Sequence, residues 1–420
     1  PSSVFTKVCG TGRPGCCNIF LPLPFDHAMS PLLNSLLRPA SLLPIAALVA
    51  SCGGGSGGSD TPAPPSTVQV TITAPAAGSV LTAQTPVTVQ AQVSVSGSAA
   101  ADGTAVSFSL PGGSFSPVAP QTRSGLASTS LTGTTAGAHT LTARSTVNGA
   151  TGTGTQTIYL RPQPAALEIL VPAYFHPTTN TGWTQMAASA SANPAVGITA
   201  ILNPSNGIVT TADAATLQAA RNLVAAGGKV IGYVYTRYGT GSRSLADIKT
   251  NIDRYLDLYG SSVISGIFLD EMSANETHIP FYREIYDHIK ARGATLRVVG
   301  NPGLVPAAAY AGVTDAIVSF EGAATTFQNF DPRTSTPWLY TLTNSRHAML
   351  VHNADNCAAM QTAVQAAASA RYNHGLVYAT NLQYNPTTQV GNPWASLPSY
   401  WSSLVGTVRA INTATALPAC

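Results

Sequence analysis

The chain has 420 residues, enough for two or three domains. Hydrophobic residues make up 45% and charged residues only 9%, against roughly 25% charged in ordinary soluble domains. Ser, Thr, Asn and Gly must therefore supply most of the polar surface. The net charge of +3 and the lack of any basic run give no electrostatic support for nucleic-acid binding, and no nucleic-acid partner is expected.

In chain order, the first Met is Met29. From there the sequence reads as an export signal: Arg38 supplies a positive charge, and PASLLPIAALVA forms a short apolar core. That core is too short for a comfortable membrane span. Val49-Ala50-Ser51-Cys52 resembles a bacterial lipobox, which makes Cys52 the expected lipidation site over residues 29–52. An ordinary signal peptide that happens to contain a Cys is the alternative. Residues 53–66 read as a flexible Gly/Ser/Pro tether. Gly53, rather than Asp, follows the Cys, so an outer-membrane lipid anchor is expected, with secretion as the alternative. Residues 1–28, including Cys9, Cys16 and Cys17, read as upstream sequence outside the native product. Cys357 and Cys420 remain in the mature chain. An exported pair can form a disulfide, and closing that loop would contribute about 4 kcal/mol; two separate thiols are the alternative. No metal-type Cys/His spacing occurs, and no cofactor is expected.

Residues 67–162 are β throughout. VQVTIT, VTVQAQVSV, AVSFSL and HTLTARS alternate apolar and polar residues, punctuated by Gly, Pro, Asp and Asn. This predicts an all-β immunoglobulin-like sandwich. The stretches 101–108, 125–128 and 136–141 resemble bacterial immunoglobulin-like domains of the invasin type. With few charges and no constellation for chemistry, the domain reads as a spacer, or alternatively as a glycan- or partner-binding module.

After Arg161-Pro162-Gln163-Pro164 the period changes. Eight apolar strands follow at 167–175, 198–204, 229–236, 264–272, 296–303, 315–322, 347–354 and 375–381. Helical runs lie between most of them, including 214–228, 244–260 and 278–293. Gly227, Gly260 and Gly293 suit helix C-termini, and Ser244 with Asp247 suits an N-terminal capping box. Eight βα units over residues 167–415 predict a TIM (β/α)8 barrel. An open doubly wound sheet is less favoured, because no G-x-G-x-x-G follows the first strand.

Chemistry in such a barrel sits at the carboxyl ends of the strands. The fourth strand, VISGIFLDEM, ends in the adjacent acids Asp270 and Glu271. Other strand ends offer Tyr174 and His176, Asn203, Tyr233, Tyr235, Arg237 and Tyr238, Asn301, Glu321, His352 and Tyr378. Carboxylates, amides and aromatic rings suit sugars, whose hydroxyls and C–H faces they bind. His352 equally suits a satisfied core position, and Arg237 a counter-ion to an acid.

The segments Pro172–Pro177 with Trp183, Ile201–Gly207, Gly232–Gly239 and Gly266–Glu271 occur in this order. Together they resemble the spherulin 4-like (spherulation-specific family 4) proteins, a group that includes glycoside hydrolase family 135. Fungal members of that family cleave galactosaminogalactan as endo-α-1,4-N-acetylgalactosaminidases. The resemblance covers residues 167–413. It implies a catalytic Asp270-Glu271 pair with a further Glu at Glu321. One departure is visible: NPSNGIV lacks the Gly-Pro-Gly turn expected after Asn203.

The expected activity is endo-hydrolysis of an amino-sugar exopolysaccharide, such as that of a biofilm or capsule, by a monomer. Glu271 is the expected acid/base. Asp270 would orient an acetamido group or tune Glu271, and Glu321 would stabilise the oxocarbenium-like centre or act as second carboxylate. A non-catalytic glycan-binding surface lipoprotein is the alternative, and a metal-dependent hydrolase is a weaker one.

Overall fold

The computed structural model describes residues 66–420. The signal segment, Cys52 and nearly all of the tether lie outside the described residues. Residues 68–161 form two facing sheets. The first runs Val68–Ala74, Val87–Val95, Leu126–Gly133, Gly113–Ser116, with Ser98–Ala99 added beside Val87–Val95. The second runs Val80–Thr82, Ala150–Arg161, Gly137–Val147, Ser107–Ser109. The period of two explains the packing: Val89, Ala91 and Val93 point inward and are fully buried against Leu141, Ala143 and Ile158.

The remaining chain closes into a barrel of eight strands. These are β1 (Glu168–Ala173), β2 (Gly197–Leu202), β3 (Lys229–Tyr235), β4 (Ile264–Asp270), β5 (Arg297–Gly300), β6 (Ala316–Ala323), β7 (His347–His352) and β8 (Leu376–Ala379). Neighbours pair in parallel, and β8 returns to pair with β1. All eight predicted strands are present. Six longer helices surround them: α1 (Gly182–Ala192), α2 (Ala214–Ala225), α3 (Leu245–Tyr259), α4 (Ile279–Arg292), α5 (Cys357–Ala368) and α6 (Trp401–Asn412). After β5 and β6 there are only short helical turns. Pro332 and Pro337 lie in the second of these connections and lack the N–H that a helix interior requires.

The capping signals at Ser244, Gly227 and Gly260 act as read. The Ser244 side chain accepts from Asp247 N at the start of α3, and Asp213 accepts from Thr216 N at the start of α2. Gly227 and Gly260 are left-handed, with φ of 92° and 88°. Gly293 differs. It ends α4 with an extended φ of −177°, a conformation open to any residue.

Helix α3 sets the facing of β3. Tyr255 lies so close to Gly232 that a Cβ there would stand 2.6 Å from its ring. Gly232 therefore faces the helix layer, and Tyr233, one residue on, faces the barrel interior. There it stacks on the fully buried Phe268, with ring centroids 6.2 Å apart.

The sandwich is seated on the barrel. Tyr159 donates its hydroxyl to Arg333 O (2.6 Å), and Arg333 Nη1 donates to Gly78 O (3.1 Å). Arg161, buried, donates to Asn373 Oδ1 (3.3 Å) just before β8. Asn344, just before β7, accepts from Ala165 N at 2.7 Å.

Cys357, the first residue of α5, is disulfide-bonded to Cys420. Joint replacement of both by Ser should lower barrel stability by about 2–4 kcal/mol. Chemical denaturation of oxidised wild type against the double variant measures this.

Candidate active site

The site begins where β3 and β4 end. The turn 236–239 is laced to the end of β4. Thr236 N donates to Asp270 O (2.9 Å), Thr236 Oγ1 donates to Glu271 O (2.8 Å), and Tyr238 N donates to Glu271 O (2.7 Å). Both segments turn by left-handed backbone, with φ of 51° at Arg237, 58° at Tyr238 and 50° at Glu271. Non-glycine residues held there cost on the order of 1 kcal/mol each, and such strain gathers at functional sites. At Glu271 it breaks the strand alternation that would aim its side chain directly opposite to Asp270.

The three acids occupy distinct environments. Glu271 is only 8% exposed. Its Oε2 accepts no hydrogen bond but lies 3.6 Å from Arg237 Nε. Burial raises its pKa to about 7, against the opposing pull of Arg237. Asp270 accepts from Tyr233 OH through Oδ2 (2.6 Å) and from Asn301 Nδ2 through Oδ1 (2.8 Å). Burial outweighs these bonds and holds its pKa above the usual carboxylate range. Glu321 Oε2 accepts from the same Asn301 nitrogen at 2.7 Å. Burial, and then the charge of Asp270, raises Glu321 to about 8.

The aromatic residues divide into two groups. Tyr174 meets Tyr233 edge-on at 5.5 Å. Tyr238 has its hydroxyl pKa raised by burial and then by the charges of Glu271, Asp270 and Glu321, so it lies within electrostatic reach of all three. Tyr235 lies beneath the guanidinium groups of Arg243 (3.9 Å) and Arg237 (5.3 Å). Across the barrel, His352 is buried and bonded to Asn353 (2.7 Å), with its ring against Tyr384 and Trp394. Burial lowers its pKa, which favours the neutral ring. Tyr378 is fully buried against Trp394.

The structure thus brings Asp270, Glu271, Glu321, Asn301, Tyr233, Tyr238, Arg237 and Tyr174 together. His176 is placed differently. It is exposed and bonded to Thr178 and to Asp213, the cap of α2. Asn203 directly follows β2, its Oδ1 buried without a hydrogen-bond partner. The three residues Ser205, Asn206 and Gly207, with φ of 51°, 53° and 77°, turn the chain there without the Gly-Pro-Gly. Gly207 is required at that point, because a Cβ would stand 2.7 Å from Tyr233 O.

Three residues went unread in the sequence. Thr236 stands inside the quoted Gly232–Gly239 segment, but nothing in its identity marked it as the lacing residue. Tyr384 and Trp394 lie in the aperiodic segment after β8, which offered no placement signal. Tyr384 has its pKa raised by burial and then by Glu321, which puts it within reach of that acid. Among the described residues, no group of three or more His, Cys, Asp or Glu side chains is arranged to hold a metal ion.

Residues 168–408, more than half of the chain, match spherulation-specific family 4. The chain belongs to this family. Residues 69–143 match the bacterial Ig domain family. Spherulin-4 of Physarum polycephalum is 35% identical over 164 residues, 39% of this chain and 47% of the relative. The chain therefore matches about half the length of that curated protein. Among solved structures, Aspergillus clavatus Sph3 in complex with GalNAc is similar at a TM-score of 0.48 and 21% identity, covering 59% of this chain and 98% of that one. A family 39 glycoside hydrolase from Bacteroides cellulosilyticus WH2 is similar at a TM-score of 0.38 and 11% identity, covering 82% and 83%.

The raised acids in this family 4 barrel have a consequence for stability. A carboxyl whose folded pKa lies above its unfolded value costs nothing below the unfolded pKa. It destabilises progressively as pH rises through the folded one. For Glu321 that window runs from the ordinary 4.5 to about 8. Glu321→Gln should match wild-type stability near the bottom of this window and exceed it above the top, by on the order of 1 kcal/mol. Thermal melts across the window test this.

Proposed function

We propose that this family 4 protein is an endo-acting glycoside hydrolase that cleaves an amino-sugar exopolysaccharide. One observation carries the reading: three carboxyl groups converge at the carboxyl end of a closed parallel barrel, and burial holds all three above their ordinary pKa. Structural acids are usually paired and pulled down, as Asp331 is to about 2 by Arg333. Carboxyl groups kept part-protonated near neutrality suit proton transfer to a leaving oxygen.

Glu271 is the acid/base. Its value of about 7 lets it give a proton to the glycosidic oxygen and take one back from water. Arg237, 3.6 Å away, steadies the carboxylate once the proton has gone. Asp270 receives two hydrogen bonds and Glu321 one. Asp270 therefore carries the larger share of the pair's negative charge. Asp270 then stands ready to orient an acetamido group or to stabilise an oxocarbenium-like centre, and Glu321 completes the site as the second carboxyl. The oxygens of Asp270 and Glu321 that share Asn301 can be no farther apart than the sum of their two bonds, about 5.5 Å. That spacing sets the two carboxyls side by side, close enough that they cannot both carry full charge. Tyr174 and Tyr238 supply faces for sugar C–H groups. The GalNAc complex of the similar Aspergillus clavatus Sph3 supports a 2-acetamido sugar as the unit bound.

The decisive experiment is reducing-end release from purified α-1,4-linked N-acetylgalactosamine/galactosamine polymers. Wild type should release oligosaccharides, and Glu271→Gln should lower kcat by about 100- to 10,000-fold. Activity that needs protonated Glu271 should fall as pH rises through about 7. Binding of the polymer by both proteins without release would instead support a glycan-binding role.

The location proposed with this activity is an outer-membrane lipoprotein anchored through Cys52. Cys52→Ser should abolish labelled fatty-acid incorporation and move the protein from the membrane to the soluble fraction. Incorporation that survives the substitution would rule out this anchor.

A further inference from the structure

Asn301 follows β5, and both ends of its amide are committed. Its Oδ1 accepts from Gly303 N at 2.9 Å. That bond fixes which end is oxygen, so the nitrogen must face the acids. The single Nδ2 then donates to Asp270 Oδ1 (2.8 Å) and Glu321 Oε2 (2.7 Å). Asn301 is itself buried, and its backbone is tied to β4: its N–H donates to Leu269 O (2.8 Å), and its carbonyl accepts from Met272 N (2.9 Å). Its amide cannot swing away from the pair without breaking three hydrogen bonds.

From this geometry we infer that Asn301 is a positioning residue that clamps Asp270 and Glu321 into one proton-sharing unit. The inference rests on the glycosidase reading of the mouth for its role in catalysis, but the clamp can be measured without any substrate. An amide NH2 has two protons, one for each acid, and no lone pair to accept from either. It therefore favours charge on both carboxyls, while their proximity forbids both charges at once. The outcome is a pair that loses its protons in two separated steps belonging to both residues. The titratable and charged groups facing this pair are few. Tyr233 bonds Asp270, Glu271 adjoins it, Tyr238 lies within electrostatic reach of both, Tyr384 lies near Glu321, and Arg237 stands behind Glu271. Among these neighbours and Asn301, only the asparagine donates a hydrogen bond to both members.

The test is infrared titration of the full chain in heavy water, following the C=O band of protonated carboxylic acids. The part of the band due to the pair is assigned by its loss in Asp270→Asn and Glu321→Gln. In wild type this part should persist into the neutral range. In Asn301→Ala its final midpoint should move up by about one pH unit or more, because both carboxylates lose a donor. Asn301→Asp keeps an acceptor for Gly303 N but replaces the shared donor with a third acid. It should fold even where Ala does not, and it should show one further protonated carboxyl at neutral pH. The inference is overturned if wild type shows no protonated carboxyl from this pair at neutral pH. It is also overturned if both variants keep wild-type midpoints and lose only thermal stability, which would make Asn301 a structural residue. A shifted midpoint in a protein that cleaves no polymer would keep the clamp and reject the glycosidase reading. Where cleavage is seen, the pH profile of kcat should move with the infrared midpoint.

Discussion

Three carboxyl groups, Glu271 buried and Asp270 and Glu321 half-buried, form a cluster at one end of the barrel that water would otherwise solvate and separate. Everything near the mouth answers to that constraint. Desolvation disfavours charge on each acid, and mutual repulsion disfavours charge on all of them together. The protein responds with few donors and little countercharge. Tyr233 serves Asp270, Asn301 is shared between Asp270 and Glu321, and Arg237 stands off Glu271 by 3.6 Å. A full set of partners would have pulled the acids down, as Arg333 and Arg371 do for Asp331. The incomplete set leaves protons on carboxyl groups at the mouth of the barrel, which the proposed proton transfer requires.

The backbone supports this arrangement at some cost. Arg237, Tyr238 and Glu271 are all left-handed without being glycine. What holds them is the lacing between the β3 and β4 turns, with Thr236 at its centre. Thr236 is fully buried and bonded to the end of β4 and to Tyr282 of α4. The mouth is thus over-determined by hydrogen bonds to peptide groups. It is built on strand ends rather than on free loops, which suits a site whose geometry must not drift.

Much of this was legible in the sequence. The eight strands could be read because parallel barrel strands are buried on both faces and appear as short, continuous apolar runs. Asp270, Glu271 and Glu321 could be read because polar residues that interrupt or end such runs fall at the mouth. The connections after β5 and β6 were less legible, since they are proline-broken turns rather than full helices. Gly293 shows the same limit: a glycine at a helix end need not be left-handed. The roles inside the site were the least legible. Alternation separates neighbours on a strand, and no residue type announces that Glu271 adopts a left-handed φ. Asn301 could be placed at a strand end, but its engagement by two acids and Gly303 depends on contacts between distant segments. His176 looked equivalent to its neighbours on the strand-end pattern, yet it turns to Asp213.

The seating of the sandwich has a directional meaning. Its contacts through Arg161 and Ala165 reach Asn373 and Asn344, residues that precede β8 and β7. It therefore grips the barrel on the side where strands begin, while the acids lie where strands end. Whatever holds the chain by its amino-terminal side presents the mouth facing outward. On the proposed polysaccharide reading, a long polymer can then lie across the opening without passing the sandwich, and the sandwich becomes a pedestal that sets the bearing of the mouth.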